Sequence, residues 1–173
     1  MGVTFRVLAV IEQNPQAIQY IVLNHPEVEH IFTDFIDFVY NDKPFCWKCQ
    51  CRHSKPEETP DLSSGGMPCH AWSRMRWTKG NTVYTGSADK HPEWSLLQAY
   101  DEYQAVRKPG SFLVEEVEEF EKCKGPDGRT ADEVLTQNSV HRGFAVRRFK
   151  QQSQLWVKMP RTRPHCIFVF IHN

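Results

Sequence analysis

Phe5-Arg6-Val7-Leu8-Ala9-Val10-Ile11, continuing as Glu12-Gln13-Asn14-Pro15, reads as a buried strand that turns directly into a helix. A β-branched, nearly unbroken apolar run suits a parallel strand covered on both faces. Asn14-Pro15 opens the helix, because proline at the first helical position loses no useful donor. Ala17, Ile18, Ile21 and Val22 then fall on one face, and Asn24-His25-Pro26 stops the helix. A second strand, about His30 to Thr33, leads into Asp34 and a short aromatic stretch through Tyr40. This is a βαβ rhythm.

The same rhythm extends outward. Residues 41–60 interrupt it with a polar, cysteine-rich, proline-containing stretch that reads as an insertion or long surface loop. The segment before Cys69 is a weak strand at best. Glu93 to Lys108 predicts an amphipathic helix with Trp94, Leu97, Tyr100, Ala105 and Val106 facing inward, closed by Pro109-Gly110. Ser111 to Val117 returns as a strand, and 122–129 is a turn-rich loop. Gly143 to Phe149 and Cys166 to Ile171 are two further strands joined by a polar connector. Strands and helices alternating at these lengths predict one α/β domain over 1–173 built on an open, doubly wound, Rossmann-like sheet.

The composition is that of an ordinary globular chain: 173 residues, 40% hydrophobic and 24% charged. No apolar run approaches membrane-spanning length and no signal peptide opens the sequence, so the expected compartment is intracellular, the nucleus in a eukaryote. In that setting the six cysteines are expected as free thiols or metal ligands rather than disulfides. A net charge of zero gives no support of its own to nucleic-acid binding. Arg142, Arg147, Arg148, Lys150, Lys158, Arg161 and Arg163 make the last third basic, either as a local patch or as a solvated face.

Chemistry concentrates at Gly65-Gly66-Met67-Pro68-Cys69-His70-Ala71-Trp72-Ser73. Pro68 fixes its own φ and removes a donor, so a strand cannot run through the cysteine. The glycine pair allows a tight turn or a close approach to a ligand. A thiol at such a turn is presented as a nucleophile; the competing reading is a small buried cysteine. A cysteine–histidine hydrolase using His70 is a weaker reading, since a working base is usually brought from elsewhere in the fold. In doubly wound sheets, ligands bind beyond the carboxyl ends of the strands. Glu12, Asp34, Cys69 and Glu115 all fall at or near such ends.

In that order the segments resemble the DNA cytosine-5 methyltransferases across nearly the whole chain. Asp61-Leu62-Ser63-Ser64-Gly65-Gly66-Met67-Pro68-Cys69, ending at Ser73, is similar to the family's Pro-Cys motif. Val10-Ile11-Glu12-Gln13-Asn14-Pro15 with Asn24-His25-Pro26 resembles the segment after its glycine-rich loop. Lys108 to Val117 resembles its Glu-Asn-Val strand, and Met159-Pro160-Arg161-Thr162-Arg163 its Pro-Gln-x-Arg-x-Arg motif. The resemblance implies S-adenosylmethionine as cofactor and duplex DNA with a flipped-out cytosine as partner. It casts Cys69 as the nucleophile, Glu115 as the partner of the base's N3 and Arg163 as an auxiliary. Glu12, Asp34 and Pro68 fall on the cofactor side.

The chain departs from that pattern. Met1-Gly2 begins after the place of the Phe-x-Gly-x-Gly loop, so the expected fold is an incomplete methyltransferase domain without its first strand or a target-recognition region. Glu116 stands for the usual Asn, Arg161 for Gln and His165 for the last Arg. An inactive family fragment, acting as a binding or zinc-containing module, is the alternative. Cys46-Trp47-Lys48-Cys49-Gln50-Cys51-Arg52-His53 motivates it. Cys46, Cys49, Cys51 and His53 are either four zinc ligands or a loop of free thiols; no second Cys-x-x-Cys knuckle completes the usual pair.

Overall fold

The computed structural model describes residues 4–68, 94–122, 124–125, 127–152 and 164–172. The chain divides into two compact units, 1–58 and 59–173.

In the first unit, β1 (Val10–Ile11) pairs in parallel with β2 (Ile31–Phe32), and helix α1 (Pro15–Asn24) connects them. Asn14 caps α1 by accepting from the backbone N–H groups of Gln16 and Ala17, with Pro15 inside the first turn as expected. Ile18 is the fully buried residue of that helix and packs with Val28 and Ile31. The expected strand from Phe5 shrinks to two residues, and Phe5 itself is 76% exposed. The bonds that flank the pair, Val10 N–H to His30 O and Glu12 N–H to Phe32 O, mark the extent of the parallel ladder. Apolar composition alone does not make a strand where no neighbour supplies hydrogen bonds.

After the short helix α2 (Phe35–Tyr40), residues 41–60 contain structure instead of a plain loop. A hairpin, β3 (Phe45–Cys46) and β4 (Cys51–Arg52), extends the sheet in the order β1-β2-β3-β4 with both new pairings antiparallel.

The second unit holds a mixed sheet ordered β5-β6-β8-β7. Its strands are β5 (Leu62–Gly65), β6 (Ser111–Val117), β7 (Phe144–Gln152) and β8 (Pro164–His172). β5 and β6 are parallel; β8 lies antiparallel between β6 and β7. The expected α/β character holds, and the described strands form two four-stranded mixed sheets in which parallel pairs are joined by antiparallel ones. Helix α3 (Trp94–Arg107) buries Trp94, Leu97, Ala99 and Gln104, while Val106, expected inward, is 64% exposed. Helix α4 (Ala131–His141) does not figure in the sequence reading. A capping box starts it: Thr130 accepts from Glu133 N–H while the Glu133 carboxylate accepts from Thr130 N–H. Leu97, Phe112, Val114, Phe120, Leu135, Phe168 and Phe170 form the centre of this unit's core.

Candidate functional site

The parallel register of β5 and β6 runs from Leu62 opposite Ser111 to Gly65 opposite Val114. Continuing one residue on, Gly66 lies beside Glu115, so close that a Cβ there would stand 3.0 Å from the Glu115 carbonyl oxygen and 3.4 Å from its Oε2. At Gly65 a Cβ would stand 2.2 Å from the Tyr100 hydroxyl. The two glycines thus answer to two different crowding constraints, one on each side of the chain.

Side chains along β6 alternate. Phe112, Val114 and Glu116 are buried, and Glu115 is exposed on the other face. Glu116 is only 1% exposed and accepts the Met67 N–H at 2.8 Å. A carboxylate inside the core thereby anchors the backbone two residues before Cys69, a role the sequence reading missed. The period-2 alternation of Ser111 to Val117 carries the signal for it. Tyr100 feels the same carboxylate: burial first, and then the charge of Glu116, push its phenol well above the ordinary value.

The Glu115 carboxylate is hydrogen-bonded to His165 Nδ1 from the neighbouring strand β8. A histidine of β8 therefore faces this carboxylate. Met67 is buried and Pro68 half-buried. Cys69 and Arg163 lie outside the described residues.

Glu12 and Asp34 leave the same end of the parallel β1–β2 pair. The Glu12 carboxylate accepts the Asn14 N–H at 2.7 Å, and Asp34, exposed, caps α2 by accepting the Asp37 N–H at 2.9 Å. These strand-end acids belong to the first unit and Glu115 to the second. The basic residues described in the last third are largely engaged: Arg142 with Asp101, Arg148 with Asp132 and Glu121, and Lys150 with Glu121.

Of the cysteine-rich segment, Cys46, Cys49 and His53 converge, joined by His30 from the residue before β2. Cys51 is exposed and outside that group.

No protein-family model matches the sequence, and no curated protein does. The described residues define a mixed α/β fold with carboxylates at the ends of its parallel strand pairs. That fold is similar to solved methyltransferase structures. One is the S. pombe Dnmt2 methyltransferase, 17% identical with a TM-score of 0.55, covering 96% of this chain and 42% of that one. Another is an E. coli protein described as a DNA modification methyltransferase encoded within a prophage, 17% identical at a TM-score of 0.56, covering 95% and 39%. A third is the Entamoeba histolytica methyltransferase EhMeth, 10% identical at a TM-score of 0.57, covering 95% and 44%. At these identities the likeness is one of fold, and the chain spans about two fifths of the length of each.

Proposed function

We propose that this chain is the catalytic portion of an S-adenosylmethionine-dependent DNA cytosine-5 methyltransferase. The observation that carries the reading is the β5–β6 register. It leads the backbone toward Cys69 directly past Glu115, with Met67 N–H held by buried Glu116. Two segments that the family resemblance pairs in function, far apart in sequence, are neighbours in space.

Carbon 5 of cytosine is a poor nucleophile until something adds at carbon 6. In the proposed reaction the Cys69 thiolate forms the Sγ–C6 bond, and the C5=C6 electron pair becomes available at carbon 5. Glu115 hydrogen-bonds N3 and stabilises the charge that develops on the ring. Arg163 orients the base. Later loss of the carbon-5 proton to a base restores the C5=C6 bond and expels the thiolate. A cytosine inside a duplex is out of reach of the sulfur, so the base must be flipped out.

The donor set at the end of β1 and β2 fits the cofactor. A carboxylate has about four lone-pair sites, and one backbone N–H on Glu12 or Asp34 leaves acceptor capacity for ribose hydroxyls and an adenine amino group. Glu12 and Asp34 would hold S-adenosylmethionine. When bound, the cofactor supplies an electrophilic methyl group.

Trapping on 5-fluorocytosine DNA with S-adenosylmethionine tests the reading. A covalent protein–DNA adduct is expected, lost in Cys69→Ala and weakened in Glu115→Gln. No adduct, together with no cofactor binding by calorimetry, would refute the catalytic assignment.

A further inference from the structure

We propose that His30, Cys46, Cys49 and His53 form a structural zinc site. One ligand atom from each lies within 4.8 Å of every other. Around a tetrahedral zinc with bonds of about 2.1–2.3 Å, ligand atoms stand about 3.4–3.8 Å apart. Closing from the observed spacing takes side-chain adjustments of about 1 Å.

Four independent features point to a metal. First, Cys46-x-x-Cys49 forms the turn between β3 and β4, and Gln50, directly after the second cysteine, adopts a left-handed φ of 54°. A glutamine takes that conformation only where the turn imposes it. It bends the chain so that both sulfurs lie on the same side as the two imidazoles. Second, the ring atoms His30 Nδ1 and His53 Nε2 are both buried without a hydrogen-bond partner. A buried orphan of this kind costs free energy unless something binds it. Third, His53 Nδ1 lies 2.8 Å from the Ser54 carbonyl oxygen. That contact places the proton on Nδ1 and leaves the Nε2 lone pair aimed inward, the second-shell arrangement of metal-bound histidines. Fourth, the ring of Phe32, fully buried, lies 5.6 Å from His53 and 6.0 Å from His30. It packs beside both imidazoles, while Cys49 remains exposed.

The donor chemistry selects the ion. Two thiolates and two imidazoles in tetrahedral array suit zinc, and four protein ligands leave no open position for a reacting group. Binding would release the thiol protons of Cys46 and Cys49 to solvent. The structural gain is clear from the elements joined. Strands β1 to β4 have two residues each, and Lys48, in the turn, ties back to the carbonyls of Pro26 and Val28. A unit of 1–58 with so short a ladder gains most from a cross-link between its hairpin and β2.

The test is metal analysis of the full chain purified without chelator, followed by cobalt substitution. A stoichiometric equivalent of zinc is expected. It should be lost in Cys49→Ser and His30→Ala, and kept in Cys51→Ser, where the exposed thiol lies outside the set. Because His30→Ala can disturb folding, the unaltered protein provides a second readout. Cobalt should give the intense visible bands of a tetrahedral ion and a near-ultraviolet thiolate charge-transfer band. Absence of zinc uptake, a pale octahedral cobalt spectrum, or zinc that depends on Cys51 and not on His30 would each overturn the site. None of these outcomes depends on methyl transfer.

Discussion

Replacing Gly65 by alanine probes the geometry that delivers the chain to Cys69. The added Cβ would stand 2.2 Å from Tyr100 Oη, 3.3 Å from Cζ and 3.5 Å from Cε1. Comfortable contact between heavy atoms is about 3.5–4.0 Å, so the overlap with the hydroxyl exceeds 1 Å or so. Tyr100 has little freedom to retreat, since its ring packs against Phe112 with centroids 5.5 Å apart and it belongs to α3. Overpacking of this kind costs about 1–3 kcal/mol. Urea unfolding of Gly65→Ala should show that loss as a lower midpoint with an unchanged slope. Tyr100→Phe removes the clashing oxygen and leaves the 3.3 Å carbon as the nearest atom. In the double variant the two changes should therefore compensate, with a coupling of about 1 kcal/mol or more. Strict additivity, or a Gly65→Ala protein within about 0.5 kcal/mol of the original, would refute the crowding argument.

Other perturbations follow from the same contacts. Glu116→Ala strands the buried Met67 N–H and should cost about 1–3 kcal/mol by urea denaturation, whereas Glu116→Gln keeps an acceptor oxygen and should cost less. Thr130→Ala removes one half of the α4 capping box and should cost about 1 kcal/mol in the same assay. Burial first, and then the neighbouring charge of Glu121, push the Cys166 thiol up to about 12 from an ordinary 9.0. The native state keeps this thiol neutral where the unfolded chain ionises it. That part of the stability is complete below pH 9.0 and is lost as pH climbs toward 12. Unfolding curves between those pH values should fall less steeply for Cys166→Ala than for the unaltered chain. If the two slopes coincide, the thiol is not so protected.

What the sequence disclosed depended on punctuation. Asn14-Pro15 and Asn24-His25-Pro26 bracket α1 closely, and Pro109-Gly110 fixes the start of β6, because each sets a local backbone constraint. Helix α4 escaped because Ala-Asp-Glu-Val-Leu-Thr-Gln-Asn-Ser-Val-His has no clear apolar stripe. It buries Asp132 and Ser139 beside Ala131 and Leu135, with Ser139 bonded to Gln104. Its Thr-x-x-Glu start was nevertheless legible. The hairpin β3–β4 is too short for any alternation to show. Among the candidate ligands, Cys46, Cys49 and His53 are neighbours in sequence, but His30 joins them only because β2 pairs with β3. Such pairing is a property of the folded sheet, and no local pattern announces it.

Strand β8 follows β7 in sequence yet lies between β6 and β7. During synthesis on a ribosome, those two earlier strands have no common neighbour until residues 164–172 leave the exit tunnel. Phe112 and Phe144 must therefore wait, with Phe168 and Phe170 the last large rings to arrive in the core. Assembly of the second unit is for that reason a late, all-at-once event. The interval before it is when nascent chains should most need a chaperone to cover their unpaired edges.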